Sequence, residues 1–258
     1  MTIAAWALRT TLPLDEVNLQ LGALQEAGLL GIVEQDGTAT VYLSHRIADP
    51  PVPGTWEPVE EQNWDTAWRE GLEPVEIDGV TIVAPWHERP ATGMTLVIEP
   101  AQAFGTGHHE TTAGCLAALQ SVRVDGATVL DVGTGTGVLA LAAKRLGAAR
   151  VVGVDVDPLA VEAATHNAAL NGIAIEVLEG SAGVVDAQFD LVIANLDTAT
   201  LTLVAPDLHA RLRPDGVLIA SGVSNERIDE ALAVLRAAGL QVDAVPGIQW
   251  AVLRGTRR

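Results

Sequence analysis

The stretch that most constrains this chain is Val129-Leu-Asp-Val-Gly-Thr-Gly-Thr-Gly-Val-Leu-Ala-Leu-Ala-Ala143, an apolar run, three glycines at alternate positions, then an alanine and leucine pattern. It reads as strand, tight turn and helix. Glycine is required where the backbone turns with positive φ or approaches a ligand too closely for a Cβ, and Gly133, Gly135 and Gly137 stand where the strand ends. A ligand is therefore expected at the turn. Eighteen residues beyond Gly137 a second apolar run, Val151-Val-Gly-Val-Asp155, ends in a carboxylate that can accept hydrogen bonds from two ribose hydroxyls. Asp157 and Pro158 then supply an N-cap and a first-turn proline for a further helix.

The spacing separates two ligand classes. A dinucleotide fingerprint is G-x-G-x-x-G, and here the third glycine falls one residue early, with Val138 in its place. The turn 131–137 instead resembles the first motif of class I S-adenosylmethionine-dependent methyltransferases, whose cofactor carries one ribose and an amino-acid tail. From residue 128 onward strand and helix patterns alternate, which predicts a mostly parallel sheet covered on both faces. The last two strands are separated only by Pro246-Gly247 and a few neighbours, too short for a crossover, so they must be antiparallel. A seven-stranded Rossmann-like α/β sheet is expected, with ligand-facing residues Gly133, Asp155, Ser181 and Asn195 at the carboxyl ends of its strands.

Residues 2–58 read as a small α+β unit of order β-α-β-β, half of a ferredoxin-like arrangement. Its helix, over 13–27, rests on Leu14, Val17, Leu21 and Leu24 at three- and four-residue steps, with Gly28 as a stop. Pro50-Pro-Val-Pro-Gly54 reads as a stiff extended connector and the domain boundary. Trp64 and Trp68 share one face of a helix over 57–72, and Asp78-Gly79 marks a hairpin within 75–83. The expected organisation is a substrate-recognition domain over 1–54, a linker helix and hairpin over 55–98, and a methyltransferase domain over 99–258.

Ala103-Phe-Gly-Thr-Gly107 followed by His109-Glu-Thr-Thr112, just ahead of the glycine turn, is similar to the PrmA family, the bacterial methyltransferases of ribosomal protein L11. The Trp64-Asp-Thr-Ala-Trp68 and Ala194-Asn-Leu196 segments resemble that family too. The resemblance implies methylation of lysine side chains and the N-terminal amine of ribosomal protein L11, with S-adenosylmethionine as cofactor and the N-terminal module gripping the substrate. The cofactor-binding residues expected are Phe104, Thr111, Thr112, Gly133, Gly135, Gly137, Asp155, Ser181 and Asn195. Gly133, Gly135 and Gly137 would approach the methionine part, Asp155 the ribose and Ser181 the adenine, while Thr111 or Thr112 could reach the carboxylate or amino group. Ser181 occupies a position where many methyltransferases carry an acid.

Asn195 is also the catalytic candidate. An asparagine ending the fourth strand resembles the Asn-Pro-Pro-Tyr site of amine- and amide-directed methyltransferases, but this chain continues Leu196-Asp-Thr198. The loss of an aromatic platform leaves room for a flexible aliphatic amine. The competing role for Asn195 is a simple helix cap. Asp197 is near enough to be considered as a base, yet an exposed helix-start carboxylate is a poor proton acceptor.

A formal charge of -18 disfavours nucleic acid and anionic membrane and favours a basic protein partner. No direct nucleic-acid contact, no membrane association, a monomer and a cytoplasmic location are expected. The single cysteine, Cys115, lies among apolar neighbours and reads as a core residue. His108 and His109 lack a third ligand at metal spacing, so no metal is expected. A methyltransferase for another protein or a small amine, or a non-catalytic cofactor-binding module, would share the same core.

Overall fold

The computed structural model describes residues 3–12, 16–17, 20–35, 38–60, 73–99 and 109–257. They fall into two compact units, Met1–Glu73 and Pro74–Arg258.

In the first unit four strands, β1 (Ile3–Arg9), β2 (Leu29–Gln35), β3 (Thr38–Leu43) and β4 (Thr55–Glu60), form an antiparallel sheet of order β2-β3-β1-β4. Of the helix expected over 13–27, Glu16 and Val17 are helical and, after a turn at Gln20, helix α1 (Leu21–Glu26) follows. Val17 and Leu24 are buried with Leu8, Val41 and Leu43 in one cluster, as the apolar stripe required. Leu14 lies outside the described residues.

The boundary expected at 54 falls inside this unit. Val52 is buried in the same cluster, and a Cβ on Gly54 would stand 2.5 Å from the Arg9 carbonyl oxygen. The proline-rich segment is thus a packed corner rather than a free hinge, and it returns the chain to β1 as edge strand β4. Pro58 is tolerated because an edge strand needs only half its ladder bonds. The helix expected over 57–72 therefore starts too early, and its Trp64 and Trp68 lie outside the described residues.

The second unit opens with the hairpin β5 (Val75–Ile77) and β6 (Val80–Val83), turned by Asp78 and Gly79, both at positive φ. Strand β7 (Met94–Val97) pairs parallel to β6. Then come α2 (Glu110–Gln120), β8 (Thr128–Val132), α3 (Val138–Arg145), β9 (Arg150–Asp155), α4 (Pro158–Leu170), β10 (Glu176–Glu179) and β11 (Phe189–Asn195). The chain finishes with α5 (Thr198–Arg211), β12 (Leu212–Ser224), α6 (Ile228–Ala237), β13 (Leu240–Pro246) and β14 (Trp250–Arg257).

These last strands build a mixed sheet of order β10-β9-β8-β11-β12-β14-β13, in which β14 runs antiparallel to both neighbours. The strands are apolar on both sides because both faces are covered. Leu130, Val132, Val152 and Val154 face one way, against Leu201 and Leu208 of α5 and Leu235 of α6. Their chain neighbours Val129 and Val151 face the other way, against Cys115 and Leu119 of α2 and Leu141 of α3. The β5-β6-β7 sheet joins this second cluster through Ile82 and Leu96. Burial also pushes the Cys115 thiol well above its ordinary range, in keeping with a core residue. No described helix is long and apolar enough to cross a membrane.

Candidate functional site

The strand order reverses between β8 and β11, and ligands in open α/β sheets bind at such a switch point, beyond the carboxyl ends of the strands. Register brings those ends level, pairing Val132 with both Val154 and Ala194, Asp155 with Glu179 and Asn195 with Ser221. A cavity of about 460 Å³ lies over this edge. Thr111, Gly133, Gly135, Asp155, Ser181 and Asn195 line it, six of the residues selected from the sequence. Thr112, Gly137 and Phe104 are the remainder. Thr112 is fully buried one layer behind, where its hydroxyl accepts from the Asn195 amide at 3.5 Å. Gly137 caps α3 in the left-handed conformation, and a Cβ there would press on Ala164 of α4, so it serves packing and does not line the cavity. Phe104 lies outside the described residues, as do Gly105, Gly107 and His108.

The glycine turn spends its own amides internally. Gly133 and Thr134 both donate to the Val154 carbonyl at 2.9 and 3.0 Å, Gly135 donates to Asp155 Oδ2 at 2.9 Å, and Gly137 donates to the Thr134 carbonyl at 2.8 Å. A phosphate cradle would need such amides turned toward the ligand. Here the turn offers space instead: a Cβ on Gly133 would collide with the Leu196 side chain. Asp155 is held from two sides, since its Oδ1 accepts from the Asp157 amide at 3.1 Å. That fixes the carboxylate while leaving each oxygen a further lone pair for a ribose hydroxyl. This donor set fits a nucleoside joined to its tail without phosphate better than a pyrophosphate.

Beneath the turn, Asp131 is buried and takes a bond from the Thr134 hydroxyl at 2.8 Å on Oδ2, while its Oδ1 has no partner among the described residues. Burial pushes its carboxyl up to about 7, opposed by the Thr134 bond and the nearby Ala140 amide, while nearby Asp155 adds to the rise.

Helix α5 is capped by Asp197, whose carboxylate accepts from the amides of Ala199 and Thr200 and from the Thr200 hydroxyl at 2.5 Å. The cap is therefore not Asn195. The hydroxyl and amides of the α5 start hold the Asp197 carboxyl below its ordinary range, which makes it a still poorer base.

Trp250 carried no readable signal, and His109 was legible only as part of the motif before α2. Trp250 and His109 line the cavity with ring centroids 5.3 Å apart. His109 also caps α2, accepting from the Thr111 amide. Gly222, at positive φ, lets the Leu196 backbone pass where a Cβ would collide with it. Asn167 and Asn171 stand four apart on one buried face of the alanine-rich α4 and its C-cap. Asn171 bonds both the amide and the carbonyl of Val97, at 2.8 and 2.7 Å, as a neighbouring strand would. Asn167 links the Glu99 amide to the Thr136 carbonyl, so the chain reaches residue 99 beside the glycine turn. Among the described residues no group of three or more His, Cys, Asp or Glu side chains could hold a metal ion.

Comparison with known proteins decides the family. A family model described as ribosomal protein L11 methyltransferase (PrmA) matches residues 24–258. The chain belongs to the PrmA family. It is 41% identical over 226 residues to a ribosomal protein L11 methyltransferase of Deinococcus radiodurans, covering 83% of each chain. The Thermus thermophilus protein of the same name is 36% identical over 252 residues, covering 96% of this chain and 98% of the relative. A crystal structure titled ribosomal protein L11 methylase from Lactobacillus delbrueckii subsp. bulgaricus superposes with a TM-score of 0.68 at 32% identity, over 72% of this chain and all of that one. As a PrmA family member, the chain is a methyltransferase.

Proposed function

We propose that this chain transfers methyl groups from S-adenosylmethionine to lysine side chains and the N-terminal amine of ribosomal protein L11. The observation that carries the reading is one cavity with a fixed acid, Asp155, on its β9 side and a carboxamide, Asn195, on its β11 side, in a PrmA family member. S-adenosylmethionine supplies an electrophilic methyl group on a positively charged sulfur. The chain's own residues then bind, orient and exclude. Gly133 and Gly135 admit the tail, Thr111 meets its polar end, Asp155 takes the ribose hydroxyls and Ser181 meets the adenine.

A lysine amine must be neutral to attack carbon, and with a pKa of ~10.4 its deprotonation at pH 7 costs about 4.6 kcal/mol. The apolar side chains of Leu196 and Trp250 in the cavity wall, with a sulfonium ahead, would favour the neutral form without a dedicated base. The Asn195 carboxamide oxygen accepts an amine N–H and aims the lone pair along the line of displacement, with Thr112 behind the amide to set its rotamer.

The first unit is the candidate grip on the substrate. Its antiparallel order β2-β3-β1-β4 is compatible with a ferredoxin-like arrangement, and the chain's acid excess suits a basic protein rather than nucleic acid. The seven strands of the large sheet follow the class I methyltransferase order on this reading. A monomer is sufficient for this activity, since every residue assigned a role comes from one chain. The test is label transfer: methyl-labelled cofactor should place label in ribosomal protein L11 as N-methylated lysine. Incorporation into a small amine but never into the protein would contradict the proposal.

A further inference from the structure

The turn between β13 and β14 is braced far more heavily than a surface turn needs. The Glu110 carboxylate, at the start of α2, accepts from the amides of Ile248 at 2.5 Å and Gln249 at 3.0 Å. From the other side the Asn225 side chain donates to the carbonyls of Gly247 at 3.1 Å and Ile248 at 3.3 Å, and the Asn225 amide donates to the Gln249 carbonyl at 2.9 Å. Gly247 bonds across the turn to the Trp250 carbonyl, and a Cβ at Gly247 would collide with Glu110 Oε1. Two separate elements thus hold three residues of backbone, Gly247 to Gln249, in place. Yet the side chain presented is Ile248, which is 89% exposed, with Val245 beside it at 69%. A rigid turn that turns its largest apolar side chain outward gains nothing for folding from that residue.

Its place explains it. The turn leads directly into Trp250, and Glu110 directly follows His109, and these two rings are walls of the cavity. In the strand order, Asp155 ends β9 and Ser181 follows β10 on one side of the switch point, whereas Asn195 and Trp250 belong to β11 and β14 on the other. The turn therefore stands at the acceptor end, where the polypeptide bearing the target amine must lie. Exposed acids, Asp197 and Glu226, flank the same end, where the neighbouring cation Arg227 is paired to Glu230.

We infer that the 246–249 turn is a preformed docking ledge for the polypeptide segment flanking the target amine, with Ile248 as its apolar contact. This rests on the methyl-transfer reading of the cavity. The occupant is a basic polypeptide segment with an aliphatic residue near the target lysine: the lysine enters past Trp250, the aliphatic neighbour covers Ile248, and the acids meet its remaining cations. Pre-organisation of the ledge limits the ordering entropy lost on binding.

The test compares Ile248→Ser, Ile248→Leu and the wild type on ribosomal protein L11 and on a short lysine peptide without aliphatic neighbours. For Ile248→Ser the account expects KM for the protein to rise about fivefold or more, with kcat, cofactor Kd and turnover of the short peptide unchanged, and Ile248→Leu restoring the wild-type KM. An unchanged KM for the protein would overturn the ledge alone. An equal loss on the short peptide, or a weakened cofactor, would also overturn it by showing a structural role. If the wild type binds cofactor but modifies no ribosomal protein L11, the parent reading fails, and the assigned occupant fails with it.

Discussion

The two halves of the cavity are built by different means. The half over β8 to β10 is made from contiguous backbone: a glycine turn whose amides bond to β9, and an acid fixed by the amides of Gly135 and Asp157. The half over β11 to β14 is made from side chains that meet only in the folded state, Asn195, Thr112, His109 and Trp250. The first can be rigid and general, because every substrate shares one cofactor. On the proposed reading the second must suit one acceptor, and its residues come from separate elements.

This contrast can be broken by mutation. The largest effect is expected for Asn195→Ala, which should lower kcat by about 100-fold through lost orientation of the amine while cofactor Kd stays within about threefold. Isothermal titration beside steady-state kinetics separates the two. Asp155→Asn should do the reverse. Removing a charged acceptor of ribose hydroxyls, worth about 1.5–3 kcal/mol per bond, should weaken cofactor binding by about 10- to 100-fold and leave kcat at saturation nearly unchanged. If both variants lowered kcat and affinity alike, the division into halves would be wrong.

Asp131 sharpens the cofactor side through pH. Its folded carboxyl titrates near 7, above the ordinary acid value of 3.8, so between those values the folded chain holds a proton that the unfolded chain has released. The stability it contributes is full below about pH 4 and declines as pH rises to about 7. Asp131→Asn removes that decline. Thermal melts should show the variant gaining on the wild type from pH 4 to 7, with a constant difference above. A difference independent of pH would mean that Asp131 is ionised throughout. The smallest effect belongs to Asp197→Asn, expected to change kcat by less than about threefold with an unaltered pH profile, because its carboxylate caps α5 and its proton affinity is lowered.

The same contrast explains what the sequence could disclose. Gly133, Asp155 and the antiparallel end of the sheet were legible because local spacing carries them: a glycine turn after one strand, an acid closing the next, a connection too short to cross over. Trp250 was not, since one tryptophan opening a strand looks like any half-buried aromatic, and its partner His109 is distant in the chain. Gly137 carried the same motif signal as Gly133 but supports helix packing, a distinction that only the contact with Ala164 reveals. In the first unit, β4 was missed because Thr55-Trp-Glu-Pro-Val-Glu60 mixes proline and acids in a pattern allowed on an edge, and three prolines before it resembled a linker. The burial of Val52, a tertiary fact, turns that linker into a corner.

The central claim, methyl transfer to ribosomal protein L11 oriented by Asn195, is tested most directly by the intact mass of that protein after incubation with this chain and S-adenosylmethionine. The account predicts mass increases of whole methyl groups, mapped to lysines and the N-terminal amine, and their near disappearance with Asn195→Ala. An unchanged mass under conditions where the cofactor stabilises the enzyme would contradict it.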